Sequence, residues 1–259
     1  MTPQVWGNLL IELTRREFAG RYRGSLGGLL WAFAPPLLLL GVYTFAFRVV
    51  LDVRWGLAER TGDFALAVFA GLIVFNAFSD VLGRSATLIT DHPNFVRKMV
   101  FPLEILPVVT VAAALLHAIV GTCVWLLGHL VLIGLPPPSA LAFPLVLAVF
   151  TPVLLGTGWL LACLGVVVRD IAHVAALAGQ ALLFLSPVFY SVAAAPAPAR
   201  LWLHLNPLTF IIEQFRGALF AGVWPDYAGL ALYAVPATAF AIAALMLFRH
   251  LRPIFADVT

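Results

Sequence analysis

Residues 105–133 read ILPVVTVAAALLHAIVGTCVWLLGHLVLI, a run without one aspartate, glutamate, lysine or arginine. As a helix at 1.5 Å per residue it is roughly 40 Å long, more than the ~30 Å hydrocarbon core of a bilayer. Residues 141–168, LAFPLVLAVFTPVLLGTGWLLACLGVVV, form a second uncharged run. In lipid every backbone N–H and C=O must be satisfied internally, so runs of this kind are helices that cross. Outward from this pair, residues 26–50, 64–83, 171–195 and 227–248 read as four more spans. Arg48 near the end of the first can snorkel to the interface. Pro136, Pro137 and Pro138 separate the third and fourth spans, because a proline triplet cannot continue a helix. The expectation is an all-α integral membrane protein with six transmembrane helices in a single domain covering residues 1–259.

Composition agrees. Of 259 residues, 63% are hydrophobic and 10% charged, where a soluble domain carries about 25% charge. Mean hydropathy is +1.03. The net charge of +3 sits in short clusters between apolar runs, which orients a membrane protein and does not suit nucleic acid. Six spans put both termini on one side. That side then holds ten lysines and arginines against five on the other, so the positive-inside rule places both termini in the cytoplasm. Arg15, Arg16, Arg21 and Arg23 precede the first apolar run, which continues past Pro35-Pro36 and is too long for a signal peptide. Cys123 and Cys163 lie inside apolar runs and read as small packing residues.

Three segments lie outside the spans. Residues 1–24 interleave Leu9, Leu10, Leu13, Phe18 and Tyr22 with Glu12, Arg15, Arg16, Glu17 and Arg21, the stripe of an interfacial amphipathic helix. Residues 84–102 form the longest cytoplasmic connection. Residues 196–226 lie on the outer side. There Asn206-Pro207 has the form of a helix start, asparagine as N-cap and proline at the first helical position. The helix that follows cannot cross without breaking the parity of the termini, so the segment is expected as a non-crossing outer hairpin.

Several chemistries find no residues. Lys98, followed by Met99, is the sole lysine, so a Walker A loop cannot be built and ATP, with its magnesium, would have to sit on a separate subunit. The six histidines show no metal-ligand spacing. Glu104, Asp63 and Asp80 stand at span boundaries, which argues against an ion-coupled carrier with a midplane carboxylate. No catalytic constellation supports an intramembrane enzyme. Aromatic residues are plentiful on the first, second and fifth spans, and sugar rings stack their C–H faces on such rings.

Several fragments resemble a known family. Residues 22–31, YRGSLGGLLW, with Pro35-Pro36, and residues 98–107, KMVFPLEILP, are similar to the starts of spans one and three in ABC-2 type permeases that export polysaccharide and polyol phosphate. Val168-Arg169-Asp170, Ser186-Pro187-Val188-Phe189-Tyr190 and Asn206-Pro207-Leu208-Thr209 with Phe215-Arg216 resemble further family segments in the same order. The Tyr22-Arg23-Gly24-Ser25 motif looks more like the O-antigen type than the capsule or teichoic acid types. The resemblance implies a homodimer in the bacterial inner membrane with two ATPase subunits, moving an undecaprenyl-linked polysaccharide. It implies ATPase contacts at Glu12, Arg15, Arg16, Glu17, Asn94, Phe95, Arg97 and Lys98. It implies a path lined by Trp31, Phe33, Tyr43, Phe75, Phe189 and Tyr190, and an outer gate at Asn206, Glu213 and Arg216. A lipid or drug exporter of the same broad class is the rival expectation.

Overall fold

A computed structural model describes residues 3–20, 31–46, 61–92, 102–168 and 170–258. Every regular element among them is helical. In chain order they are α1 (Pro3–Gly20), α2 (Ala34–Phe45), α3 (Thr61–Ser85), α4 (Ile105–Leu132), a 3₁₀ turn (Pro138–Ala142) leading into α5 (Phe143–Val167), and α6 (Ile171–Leu185). A 3₁₀ turn (Val192–Ala194) then leads to α7 (Ala197–Leu205), α8 (Pro207–Arg216), a π-helical turn (Gly217–Ala221) and α9 (Tyr227–Val258).

Among the described residues, four helical stretches are long and apolar enough to cross a membrane: Phe64–Ser85, Ile105–Leu132, Pro138–Val167 and Tyr227–Pro253. They correspond to the second, third, fourth and sixth predicted spans. The ends of the first predicted span lie outside the described residues, and α2 is its central part. The fifth differs from expectation. Residues 171–195 were expected as one helix, but α6 stops at Leu185 after 15 residues, roughly 22 Å of helix. Pro187 supplies the reason, since the residue before a proline is driven out of the α region, and Ser186 is extended at φ −106°, ψ 150°. The sixth runs past its predicted end at 248 to Val258, with Pro253 accommodated inside the helix.

α3 is the centre of the bundle. It packs against α2, α4, α5, α6 and α8, and from Phe64 to Phe78 every residue except Asn76 is buried. A helix apolar on all sides belongs in such a position. Trp125 of α4 is fully buried and donates from its indole N–H to the Leu66 carbonyl of α3 at 2.7 Å. The largest single helix pair is α5 with α9, and glycine makes it possible. A Cβ on Gly156 would stand 2.4 Å from the Phe240 ring of α9. Gly165 allows a separate close approach of α5 to the turn after α3, where a Cβ would meet the Ala86 carbonyl oxygen at 1.7 Å. α9 is otherwise mostly exposed, with Leu232, Val235 and Met246 more than 60% accessible. A lipid-facing helix carries that surface at no cost.

Candidate functional site

Two ends of the bundle carry the polar architecture. At one end, Asn206 caps α8 as expected. Its Oδ1 accepts from the Leu208 N–H at 3.0 Å, while its Nδ2 donates to the Ser186 hydroxyl at 2.9 Å and the Leu185 carbonyl at 3.2 Å. One side chain thus satisfies the start of α8 and the end of α6 together. At the other end of α8, Arg216 turns into the bundle. Its Nη2 donates to the carbonyls of Pro187 (2.6 Å) and Val188 (2.9 Å), its Nε to Ala67 (3.0 Å), and its Nη1 reaches Tyr190 at 3.5 Å. The guanidinium therefore collars the turn that ends α6 and fastens it to α3. Gly71 leaves the room: a Cβ there would lie 2.7 Å from Arg216 Nη2.

Burial lowers the Arg216 pKa to about 10, with Glu213 opposing the shift, so the side chain remains a cation at neutral pH. Cations are favoured at a helix C-terminus, where carbonyls lack partners. Burial raises the Glu213 carboxyl, against the opposing pull of Arg216, His204 and a hydrogen bond from the Val192 backbone. The hairpin itself is two short helices, α7 and α8, closed by Gly222 in the left-handed region at φ +70°, a conformation that suits glycine. Gln214 accepts from the Asp226 N–H (2.8 Å), and Asp226 in turn caps α9 through the Gly229 N–H (3.0 Å).

At the opposite end, α1 lies against α4. Glu17 pairs with Arg84 at the end of α3, and Phe18 meets the His117 ring edge-on, centroids 4.7 Å apart. Glu12, Arg15 and Arg16 stay exposed. Glu104, at the start of α4, pairs with Arg252 (3.3 Å) and Arg249 (3.6 Å) of α9. Asn94, Phe95, Arg97 and Lys98 lie outside the described residues.

The expected path aromatics whose side chains are described differ in exposure. Trp31 and Phe33 are exposed beside α2, Phe75 is buried in the core, and the side chain of Tyr43 is outside the described set. Phe189 packs on Phe184 with centroids 6.0 Å apart, and Tyr190 donates its hydroxyl to the Phe184 carbonyl at 3.0 Å. The second span was expected to end at residue 83, and α3 continues to Ser85. Asp80, read as flanking that span, lines a cavity with Asn76 and His117. The sequence signal was available in the spacing of Asn76 and Asp80, one helical turn apart. It was obscured because Asp80 was read as a flanking residue.

The model of the ABC-2 type transporter family matches residues 8–220. The chain belongs to the ABC-2 type transporter family. This ABC-2 permease is thus a multi-pass membrane protein of a transport family. It is 28% identical over 251 residues to an O-antigen export system permease protein, RfbA, of Myxococcus xanthus, covering 96% of this chain and 94% of that one. A Klebsiella pneumoniae protein of the same description is 23% identical over 253 residues, covering 97% and 95%. In this permease the family match begins inside α1 and ends in the π turn after α8, so Glu17, Arg84, Asn206 and Arg216 fall within it and Arg249 and Arg252 of α9 do not.

Proposed function

We propose that this chain is the membrane-spanning subunit of an ATP-driven exporter that moves a lipid-linked surface polysaccharide, of the O-antigen class, across the bacterial inner membrane. The observation that carries the reading is the end-to-end similarity to proteins described as O-antigen export permeases, over 96% of this chain. In this reading the chain crosses six times with both termini in the cytoplasm, forms a homodimer, and engages two ATPase subunits that hold ATP and magnesium. The exposed face of α1, with Glu12, Arg15 and Arg16, and residues 84–102 meet the ATPase. The α1 contacts through Glu17 and Phe18 would carry its push to α3 and α4.

Two features support this assignment of ends. The cytoplasmic end holds ion pairs at half-exposed positions, suited to contacts that shift. The outer end holds a buried collar around Arg216, suited to a hairpin that moves as a unit. The glycan would slide past aromatic faces on α2 and after α6, whose weak stacking orients a sugar without trapping it.

Deleting the chain in its host should abolish surface glycan and leave lipid-linked glycan in the cytoplasm, and deleting the partner ATPase should do the same. Surface glycan that persists in either strain would refute the reading. Accumulation of a lipid or drug instead would assign the chain to another cargo.

A further inference from the structure

We propose that the end of α9 at Arg249 is a docking site for one phospholipid with a net negative head group, its phosphate on the Arg249 guanidinium and an acyl chain along the exposed face of α9. The length of α9 sets the depth. Between Tyr227 and Arg249 the chain carries no aspartate, glutamate, lysine or arginine. The two positions are twenty-two residues apart, roughly 33 Å at helical rise and slightly more than the ~30 Å hydrocarbon core. Tyr227 and the preceding Trp224 are both exposed, as residues of an interfacial aromatic belt are. With Tyr227 at one boundary, Arg249 stands at the other, at the level of the phosphates. Val235, Ile242, Met246 and Arg249 follow one another at steps of seven, four and three, so they share one face of the helix, and all four are exposed. That face is an apolar track that ends on a cation.

The ion pairs around Glu104 leave this cation available. Arg252 donates from Nη1 to both carboxylate oxygens, at 3.3 and 3.5 Å, and the Glu104 side chain is 16% exposed. Arg249 approaches the same carboxylate with Nε at 3.6 Å, beyond hydrogen-bond length, and its side chain is 64% exposed. One carboxylate thus faces two guanidiniums, and Arg252 has the closer claim on it. A guanidinium carries five N–H donors in a fork that fits two phosphate oxygens. A lipid presents a phosphate at this depth and an apolar chain below it, so it fills the fork and the track together. A free anion fills the fork alone. The charges also select among lipids. A zwitterionic head group brings its own ammonium, which competes for the phosphate and meets two arginines, while Glu104 is already engaged by one of them. A head group of net negative charge meets neither obstacle. The inference goes beyond the export reading and holds whichever cargo the chain moves, since it needs only that α9 spans the membrane.

The test is native mass spectrometry of the full chain, released from micelles that hold equal amounts of phosphatidylglycerol and phosphatidylethanolamine. Wild-type protein should retain more phosphatidylglycerol. Arg249→Gln should lower the ratio of the two adducts roughly fivefold, the effect of one arginine at an anionic membrane surface. Its melting temperature should stay near wild type, because an exposed ion pair contributes little. Arg15→Gln removes an exposed charge from α1 and should leave the ratio unchanged. Glu104→Gln removes the competing carboxylate and should raise the ratio, a gain that no folding defect produces. Equal adducts in wild type, an unchanged ratio in Arg249→Gln, an equal fall in Arg15→Gln, or no rise in Glu104→Gln would each overturn the proposal. Inorganic phosphate in excess should leave the lipid adduct in place; displacement would make this a site for a free anion and overturn the lipid assignment. If Arg249→Gln keeps its lipid ratio but loses co-purification with the ATPase, Arg249 belongs to a protein interface and the proposal falls.

Discussion

Replacing Arg216 tests whether the α7–α8 hairpin is held by a half-buried cation. Three of its carbonyl contacts, at 2.6, 2.9 and 3.0 Å, are of full hydrogen-bond length. Hydrogen bonds to a charged group contribute about 1.5–3 kcal/mol each, offset by the cost of burying the charge. Arg216→Met removes the charge, so that cost vanishes too, but it leaves the Pro187 and Val188 carbonyls without this donor at about 1–3 kcal/mol apiece. The net loss is about 3–5 kcal/mol. For a chain of this size each kcal/mol shifts Tm by roughly 2–4 °C, so the expected fall is roughly 6–20 °C in detergent. Arg216→Lys keeps the charge but has a single nitrogen, which cannot serve the α6 turn and the Ala67 carbonyl of α3 together, so it should recover less than half of the loss. Gly71→Ala should move in the same direction as Arg216→Met, because the new Cβ displaces Nη2. Melting followed by tryptophan emission, with limited proteolysis in the 186–226 segment, measures both effects. If Arg216→Met melts within about 2 °C of wild type and its hairpin stays protease-resistant, the collar is not what holds the hairpin.

Four further outcomes are expected. Asn206→Ala loses an N-cap and the tie to Ser186, so thermal melting should show a cost of about 1–2 kcal/mol, with Asn206→Asp recovering the cap but not the Nδ2 bonds. Gly165→Ala should be poorly folded by size-exclusion chromatography, because its Cβ would strike the Ala86 backbone oxygen, whereas Gly83→Ala meets nothing within 4 Å and should stabilise by about 0.5–1 kcal/mol. Glu213 has a raised pKa in the folded state, so the native protein binds the proton more tightly and stability falls as pH rises from the unfolded pKa through the folded one. Glu213→Gln should therefore raise Tm at pH 7 and flatten the dependence between pH 4 and neutrality, and an unchanged pH profile of melting would refute this. Arg84→Glu should expose α1 to cleavage after Arg15 or Arg16, and Glu17→Arg added to it should restore protection; the pair is half-exposed, so its cost in melting should stay under about 1 kcal/mol.

How much was legible in the sequence depended on whether a signal was local. The runs at 105–133 and 141–168 needed nothing beyond hydropathy, and α4 and α5 follow them within a few residues. Asn206-Pro207 was equally local, and the cap forms as read. α6 failed because hydropathy does not register a break: residues 171–195 stay apolar through Ser186-Pro187, yet the backbone leaves the helix there. Arg216 was read as part of an outer gate, but its partners are 26 to 149 positions away in sequence, and no periodicity reports such distances. The Asp80 cavity was hidden because a charged residue near the end of a span was read as flanking it.

These long-range contacts share a feature that gives the fold its logic. Arg84 of α3 holds α1 through Glu17, and Ala67 of α3 holds the α7–α8 hairpin through Arg216. The two attachment points are seventeen residues apart on one unbroken helix, roughly 26 Å at helical rise, close to the depth of the hydrocarbon core. A helix buried on nearly every side cannot bend into free space, so it moves as a rod or not at all. Displacement of α1 therefore reaches the α7–α8 hairpin by moving α3 as a body, or stops at the Glu17–Arg84 pair. The weak, half-exposed pair at the α1 end and the better-bonded collar around Arg216 make the α1 attachment the one that yields first.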